Sequence, residues 1–240
     1  MTAAPPDYLA ARICASMDAH RRAADEKRKE QALEKVRKEH EARLRAHAAT
    51  WATCGVPGRY NSCTFDNFKA ETELQRAALE ACERFPFLGD EEGAGTARNL
   101  WLLGPVGRGK THLACAVLRA QHRDGESVVF TTPRDMIRDL RSSWGERGSA
   151  AKEQEALARY TDCYALVIDD VGTSFGKESE LVQLFDVINE RDAYDLHTII
   201  TSNLSPRQLL EVLGERIFSR LRDRALVLVL DGEDHRQPIG

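Results

Sequence analysis

The 240-residue chain lacks the features of a membrane-spanning, secreted or disulfide-linked protein. No apolar run reaches the roughly eighteen residues that a spanning helix needs. The N-terminus does not follow the charged-then-apolar pattern of a secretory signal. The six cysteines are scattered without a CxxC pair, which favours reduced thiols. A zinc site from His47, Cys54 and Cys63 is disfavoured because their separations fit no usual ligand spacing. We therefore expect a cytoplasmic protein.

A strong positive charge is also absent, because the formal net charge is −4. The charge is uneven, however, and residues 20–45 hold ten Lys or Arg against six Asp or Glu. Residues 17–50 contain no Gly or Pro and are rich in Ala, Glu, Lys and Arg, which favours helix. The apolar stripe of this segment is thin. It is therefore either a helix that docks on a partner or simply a solvated helix.

Residues 104–111 fit the phosphate-binding pattern GxxxxGK[ST]. An apolar run precedes them and helical residues follow, which is the strand–loop–helix context that a P-loop requires. Backbone N–H groups and the helix N-terminus supply positive potential for phosphates. Lys110 is expected to reach the β- and γ-phosphates, and the Thr111 hydroxyl to bind magnesium. The pattern predicts ATP and Mg²⁺ as cofactors, held by Gly104, Pro105, Val106, Gly107, Arg108, Gly109, Lys110, Thr111 and His112.

Five apolar segments separated by helical ones predict an α/β fold with a parallel five-stranded sheet covered on both faces. They are residues 100–103, 128–130, 164–168, 197–202 and 225–230. The stretch Gly55-Val56-Pro57-Gly58 breaks the preceding helix. We therefore divide the chain into a charged helical arm (1–54) and an α/β domain (55–240).

Polar side chains follow the third and fourth of these strands. Asp169 and Asp170 end the third, and Asn203 follows the fourth. Ligands of parallel sheets bind at the carboxyl ends of the strands, so these residues and the P-loop converge on one edge. Asp169 is expected to hold magnesium, Asp170 to polarise an attacking water, and Asn203 to bond that water or the γ-phosphate. The alternatives are a helix cap or turn for the two aspartates and a turn for Asn203.

Two arginines occupy one face of a helix near the C-terminus. Arg216 and Arg220 are four residues apart in a helix of residues 215–222, which follows a short helix delimited by Ser205-Pro206 and Gly214. Presented outward, they suit an arginine finger supplied to the ATP of a neighbouring subunit. The alternative is a solvated basic face.

The order of these motifs resembles one known family. A P-loop, the Asp pair, TSN and GERxxxRL, preceded by GVPxxYxxxTFDNF, resemble the bacterial helicase-loader family of AAA+ ATPases (DnaC/DnaI-like) over roughly residues 55–231. They are similar also to the IstB-type transposition helpers. The resemblance implies a five-stranded AAA+ core without a C-terminal helical lid, since only ten residues follow the last strand. It also implies that Asn203 is the sensor residue and Arg220 the finger, with Arg216 close by.

The resemblance implies partners as well. The arm would grip the replicative DNA helicase, and copies of the chain would assemble head to tail into an open spiral. Single-stranded DNA would pass near the helix from 134 to 144. There Trp144 would stack on a base, or anchor its helix in the core, while Arg138 and Arg141 would meet phosphates. We therefore expect an ATP-dependent helicase loader in DNA replication.

Asp170 departs from the family pattern, in which Glu is usual. Its carboxylate is withdrawn by about 1.5 Å, and a displacement of that size costs about a hundredfold in rate. We expect slow ATP hydrolysis that rises on assembly. The alternatives are a transposition helper ATPase and a nucleotide-gated adaptor with negligible hydrolysis. A small-molecule kinase is disfavoured because no arginine-rich lid is evident.

Overall fold

A computed structural model describes residues 51–85, 97–142, 150–172 and 178–232, together with Lys35. The chain divides into two units, residues 1–43 and 44–240, and all described residues except Lys35 belong to the second. The expected helical arm therefore lies almost wholly outside the described residues, as does Trp144. Within the described ranges, no helix has the length and apolar character needed to cross a membrane.

The start of the α/β unit lies earlier than Gly55. Cys54 is fully buried, and its carbonyl accepts a hydrogen bond of 2.7 Å from the backbone N–H of Phe130. Trp51 lies under the guanidinium of Arg119, 4.3 Å from the ring centroid. Residues 51–54, which were predicted to belong to the arm, thus pack on the α/β unit.

The predicted five-stranded parallel sheet is confirmed. Its strands run in the order β2-β3-β4-β1-β5, and every neighbouring pair is parallel. Because β3, β4 and β1 are adjacent, the loops that follow them meet at one edge. The strands are β1 (Asn99–Leu103), β2 (Val128–Thr131), β3 (Ala165–Ile168), β4 (His197–Ser202) and β5 (Ala225–Val229).

Helices cover both faces of the sheet, as predicted. Alternate residues of a strand point to opposite faces, so Leu100 and Leu102 belong to one core and Trp101 and Leu103 to the other. α1 and α2 pack in the first core, and α3 to α6 in the second. The helices are α1 (Glu73–Arg84), α2 (Lys110–Arg123), α3 (Pro133–Ser142), α4 (Ala150–Thr161), α5 (Glu178–Ala193) and α6 (Pro206–Arg222).

Helix α6 begins where the sequence signals place it, and its two helical segments meet at Gly214, where the break was predicted. The Ser205 side chain caps it and forms a reciprocal capping box with Gln208. Gly214 has φ 74° and ψ 161°, so the helix kinks there and continues without a linker. The kink re-aims the second half of α6, which carries Arg216 and Arg220.

Candidate nucleotide-binding site

The loop between β1 and α2 has the backbone that an anion-binding P-loop needs. Gly104, Gly107 and Gly109 all have positive φ, at 134°, 80° and 86°. A Cβ atom at Gly104 would lie 2.1 Å from the carbonyl oxygen of Leu230, and one at Gly109 would lie 2.5 Å from the ring of Phe68. These two positions therefore exclude any side chain on both conformational and steric grounds. Pro105 and Val106 form the exposed outer part of the loop.

The ammonium group of Lys110 is held inside the loop. Lys110 is only 7% exposed, and its Nζ donates to the carbonyls of Gly104 and Pro105, each at 2.7 Å. A third bond, of 2.8 Å, goes to Oδ1 of Asn203. The structure thus brings the P-loop lysine and the predicted sensor residue together.

Asp169 lies beside Thr111, as a shared magnesium site requires. The Thr111 hydroxyl donates to Asp169 Oδ1 at 2.8 Å, and the Thr201 hydroxyl donates to the same oxygen at 2.6 Å. Burial raises the pKa of Asp169, and the neighbouring charge of Asp170 adds to that rise. The two hydroxyl bonds oppose it, as does the positive charge of Arg59. Neither Thr201 nor Arg59 was among the site residues predicted from the sequence.

Asp170 adopts an unusual backbone conformation beside this pair. Its φ is 61°, in the left-handed region where Asp and Asn are several-fold enriched among non-glycine residues. Its N–H donates to Thr201 Oγ1 at 2.9 Å, and its Oδ1 accepts from Asn203 Nδ2 at 3.1 Å. Asn203 therefore contacts Lys110 through one end of its amide and Asp170 through the other.

The side chain of His112 has a different role from the one expected. Its Nε2 lies 2.9 Å from the carbonyl oxygen of Thr64, and its ring meets Phe68 edge to face. About two turns further along α2, the Arg119 side chain donates to the carbonyls of Cys63 and Asn61. The segment before α1 thus runs along α2, and the His112 imidazole contacts that segment through Thr64 and Phe68.

The residues present fit a magnesium-bound nucleoside triphosphate. Nε and Nη1 of Arg108, within the P-loop, are buried and have no hydrogen-bond partner among the residues that the structure describes, as expected of donors to a bound anion. A hydroxyl and a carboxylate are oxygen ligands, and Mg²⁺ is typically held by one or two carboxylates together with substrate phosphates. The described ranges contain no cluster of three His, Cys, Asp or Glu side chains able to hold a metal by themselves. Phosphate oxygens would complete the coordination.

Arg220 lies at the amino ends of the strands, whereas its own P-loop lies at their carboxyl ends. Its backbone carbonyl accepts from Nδ2 of Asn99, the first residue of β1, at 3.1 Å. The P-loop follows the last residue of β1, roughly 15 Å away at the usual rise per residue. The guanidinium donates to Asn189 Oδ1 at 2.9 Å and stacks over Phe185. It is half-buried against α5, which differs from the free outward arginine expected, whereas Arg216 is exposed.

The predicted DNA-contacting arginines lie on α3, beside a groove of about 590 Å³. Arg138 pairs with Asp135 at 2.8 Å, and Arg141 pairs with Glu180 at 3.1 Å. Arg134 lines the same groove. The structure therefore places basic side chains together here, two of them engaged by carboxylates.

A parallel sheet in this order, with a P-loop after β1, a carboxylate pair after β3 and an asparagine after β4, defines a P-loop NTPase of the AAA+ class. Within that class, the chain belongs to the family of IstB-like ATP-binding proteins, whose model matches residues 65–237.

The chain is also similar to individual proteins. It is 25% identical over 202 residues to the replicative helicase loader DnaC of Escherichia coli (strain K12), covering 84% of this chain and 80% of that relative. A crystal structure of the DnaC helicase loader matches with a TM-score of 0.62 at 24% identity, over 73% of this chain and 100% of that one. The replication initiator DnaA bound to AMPPCP and single-stranded DNA matches with a TM-score of 0.60 at 23% identity, over 74% and 51%. The two structures establish the fold.

Proposed function

We propose that this chain is an ATPase that loads the replicative DNA helicase in DNA replication. The observation that carries the proposal is the similarity to the helicase loader DnaC, which extends over most of both chains. A fold likeness alone would support only the class of protein.

The site geometry supports ATP binding and hydrolysis. The P-loop N–H groups, Lys110 and Arg108 would hold the phosphates, while Thr111 and Asp169 would supply oxygen ligands to Mg²⁺. The bound ion would neutralise charge on the phosphates as the γ-phosphoryl group transfers. The Asp170 carboxylate would orient a water molecule and accept its proton. Asn203 would fix that carboxylate through the bond from its Nδ2.

The position of Arg220 supports assembly of the chain with copies of itself. An arginine at the amino ends of the strands is too far from its own P-loop to neutralise charge there. In an assembly, Arg220 of one copy would instead contact the nucleotide of the next copy and neutralise charge there, as arginine fingers do. A head-to-tail contact of this kind joins two different surfaces and generates a ring or an open spiral. We therefore propose slow hydrolysis by isolated chains and faster hydrolysis by assemblies.

The groove on α3 supports binding of single-stranded DNA. Arg134, Arg138 and Arg141 recur at positions i, i+4 and i+7, so they share a helix face. The Arg138 side chain is 73% exposed despite its pairing with Asp135. Phosphates would replace the carboxylates as partners, which makes the affinity fall steeply with salt concentration.

We assign the grip on the helicase to the arm (1–54). This assignment is supported by the charge pattern of residues 20–45 and by the thin apolar stripe of the arm. With so few apolar side chains, the arm can bury little surface against its own domain. Deletion of residues 1–50 keeps Trp51 and every residue of the second unit that the structure describes. This variant should bind a fluorescent ATP analogue like the full chain and fail to capture the hexameric helicase. Capture by the truncated chain would refute the assignment.

A second candidate function is supported by the family model, which is described as IstB-like. An ATPase of that type would deliver target DNA to a transposase. Mass photometry of the full chain with ATP, mixed separately with the host helicase and with an IS21-type transposase, separates the two. A stable complex with the helicase alone supports the loader. A complex with the transposase alone supports the helper, and single-turnover hydrolysis near zero in either complex would favour a nucleotide-gated adaptor.

A further inference from the structure

We infer that Thr201 is a positioning residue of the ATPase site, and that its hydroxyl fixes the metal-binding carboxylate and the water-activating carboxylate relative to each other. The inference rests on the proposed hydrolysis of ATP but not on the identity of the partner that the chain assembles with.

The Thr201 hydroxyl makes one bond to each of the two neighbouring aspartates. Thr201 is the penultimate residue of β4 and only 2% exposed. Its Oγ1 donates to Asp169 Oδ1 at 2.6 Å and accepts from the N–H of Asp170 at 2.9 Å. A hydroxyl has one proton to donate and lone pairs to accept with, so a single side chain can do both.

The bond to Asp169 fixes the orientation of that carboxylate. Oδ1 of Asp169 accepts from two hydroxyls, those of Thr111 and Thr201. Thr111 belongs to the P-loop and is itself an expected ligand of the cation. Thr201 is the donor that comes from the sheet, where its backbone is paired on both sides with β1 and the segment after β3. The rigid strand therefore determines where the metal-binding oxygen lies.

The bond to Asp170 fixes a backbone conformation that is otherwise disfavoured. A non-glycine residue persists in the left-handed region only when its surroundings hold it there. The Thr201 hydroxyl binds the main-chain N–H of Asp170, while Asn203, two residues further along, binds its side chain. A backbone hydrogen bond holds the next residue as well, since the N–H of Val171 donates to the Thr201 carbonyl at 2.9 Å.

The test compares three variants at Thr201 with a matched control on the same strand. Thr201→Val keeps the shape of the side chain and removes both hydrogen bonds, Thr201→Ala removes them without branched bulk, and Thr201→Ser keeps the hydroxyl. The control is Ser202→Ala, which removes a buried hydroxyl bonded to the Val171 carbonyl but not to either aspartate. Melting temperatures identify any variant that fails to fold.

Two readouts are needed. We expect Thr201→Val and Thr201→Ala to lower kcat by about 10- to 100-fold while the KM for ATP changes less than about threefold. Independently of turnover, Mn²⁺ affinity of the protein loaded with a non-hydrolysable ATP analogue, measured by electron paramagnetic resonance, should fall about 10-fold or more. Thr201→Ser and Ser202→Ala should stay within about threefold of the unmodified chain in both readouts.

Each contrary result has a distinct meaning. Unchanged kcat and Mn²⁺ affinity in Thr201→Val and Thr201→Ala would overturn the inference. An equal loss in Thr201→Ser would also overturn it, since packing and not the hydroxyl would then be responsible. The same loss in Ser202→Ala would also overturn it, because general loosening at the end of β4 would then explain the loss. If the unmodified chain hydrolysed no ATP in any assembly, the proposed function would fail, and Mn²⁺ affinity alone would decide the role of Thr201.

Discussion

Lys110 and Asn203 are joined by a hydrogen bond of 2.8 Å, although 93 residues separate them in the chain. The bond fixes which way the Asn203 amide points, because its oxygen must face the ammonium group. Its nitrogen then faces Asp170 and donates to that carboxylate. One side chain thereby connects the cation that would bind phosphate to the carboxylate that would activate water.

This connection predicts the effect of replacing Asn203. Asn203→Ala should lower kcat for ATP hydrolysis by about 10- to 100-fold, because both Lys110 and Asp170 lose a partner that orients them. Affinity for an ATP analogue should change less than about threefold, since the P-loop donors remain. Asn203→Asp is the informative comparison. It keeps an acceptor for Lys110 but places a second carboxylate beside Asp170, so full activity of Asn203→Asp would contradict the role given to the donor.

The left-handed backbone of Asp170 predicts how that position tolerates change. Asn also favours this conformation, so Asp170→Asn should melt within about 2 °C of the unmodified chain while hydrolysis falls at least about 100-fold. Asp170→Glu restores the longer carboxylate usual in the family but in a backbone that suits it less, and should melt at a lower temperature. Calorimetry and single-turnover hydrolysis measure the two effects. An active Asp170→Asn would remove Asp170 from the catalytic step.

Arg220 is predicted to act on the site of another copy. Arg220→Ala and Lys110→Ala should each lower hydrolysis by about 1,000-fold in assembled protein. In an equal mixture of the two variants, about a quarter of the sites would combine an intact P-loop with an intact arginine from the neighbour. Hydrolysis should therefore recover on mixing. Arg222→Ala, an exposed arginine of the same helix with no assigned role, serves as the matched control. Absence of recovery with a stable mixed assembly would rule out action in trans.

A buried histidine predicts a dependence of stability on pH. His197 is fully buried between Gln121 and Arg98, and burial together with the charges of Arg98 and Arg191 lowers its pKa to about 3. The unfolded chain has a histidine pKa near 6.5. Between these values the unfolded state binds the proton and the folded state does not, so acid favours unfolding.

The free energy of unfolding should therefore keep its full value above about pH 6.5 and fall as the pH drops below that value. The contribution of His197 to this fall is up to about 1.4 kcal/mol per pH unit. Urea titrations at pH 7, 6 and 5 would measure the slope. His197→Gln, which keeps hydrogen-bonding capacity without a titrating proton, should show a shallower slope over the same range. Equal slopes for the two chains would show that His197 is not the titrating group.

Much of the site could be predicted from the sequence because it follows from local order. Asp169 and Asn203 each end an apolar strand, and parallel strands bring their carboxyl ends to one edge whatever their order in the sheet. The contacts of Lys110 and Thr111 then follow from the P-loop. The strand order itself places β4 between β3 and β1, and this pairing connects residues far apart in the chain.

The features that could not be predicted depend on that pairing or on packing across helices. Thr201 reaches Asp169 only because β4 lies beside β3, although its position at the end of an apolar strand, two residues before Asn203, was a usable signal. The imidazole of His112 turns to Thr64, which is 48 residues away. Arg220 is held by Asn189 on another helix, and no periodicity reveals such a partner.

Loading of the helicase onto closed circular single-stranded DNA tests the central claim most directly, because a circle has no end on which a ring could thread. The hexameric replicative helicase would be incubated with closed circular single-stranded DNA, ATP and this chain. The helicase bound to DNA would then be quantified after gel filtration. We expect helicase on the circles with the full chain, and a large loss with Lys110→Ala or without residues 1–50. Helicase retained on the circles to the same extent without this chain, or none retained with it, would contradict the account.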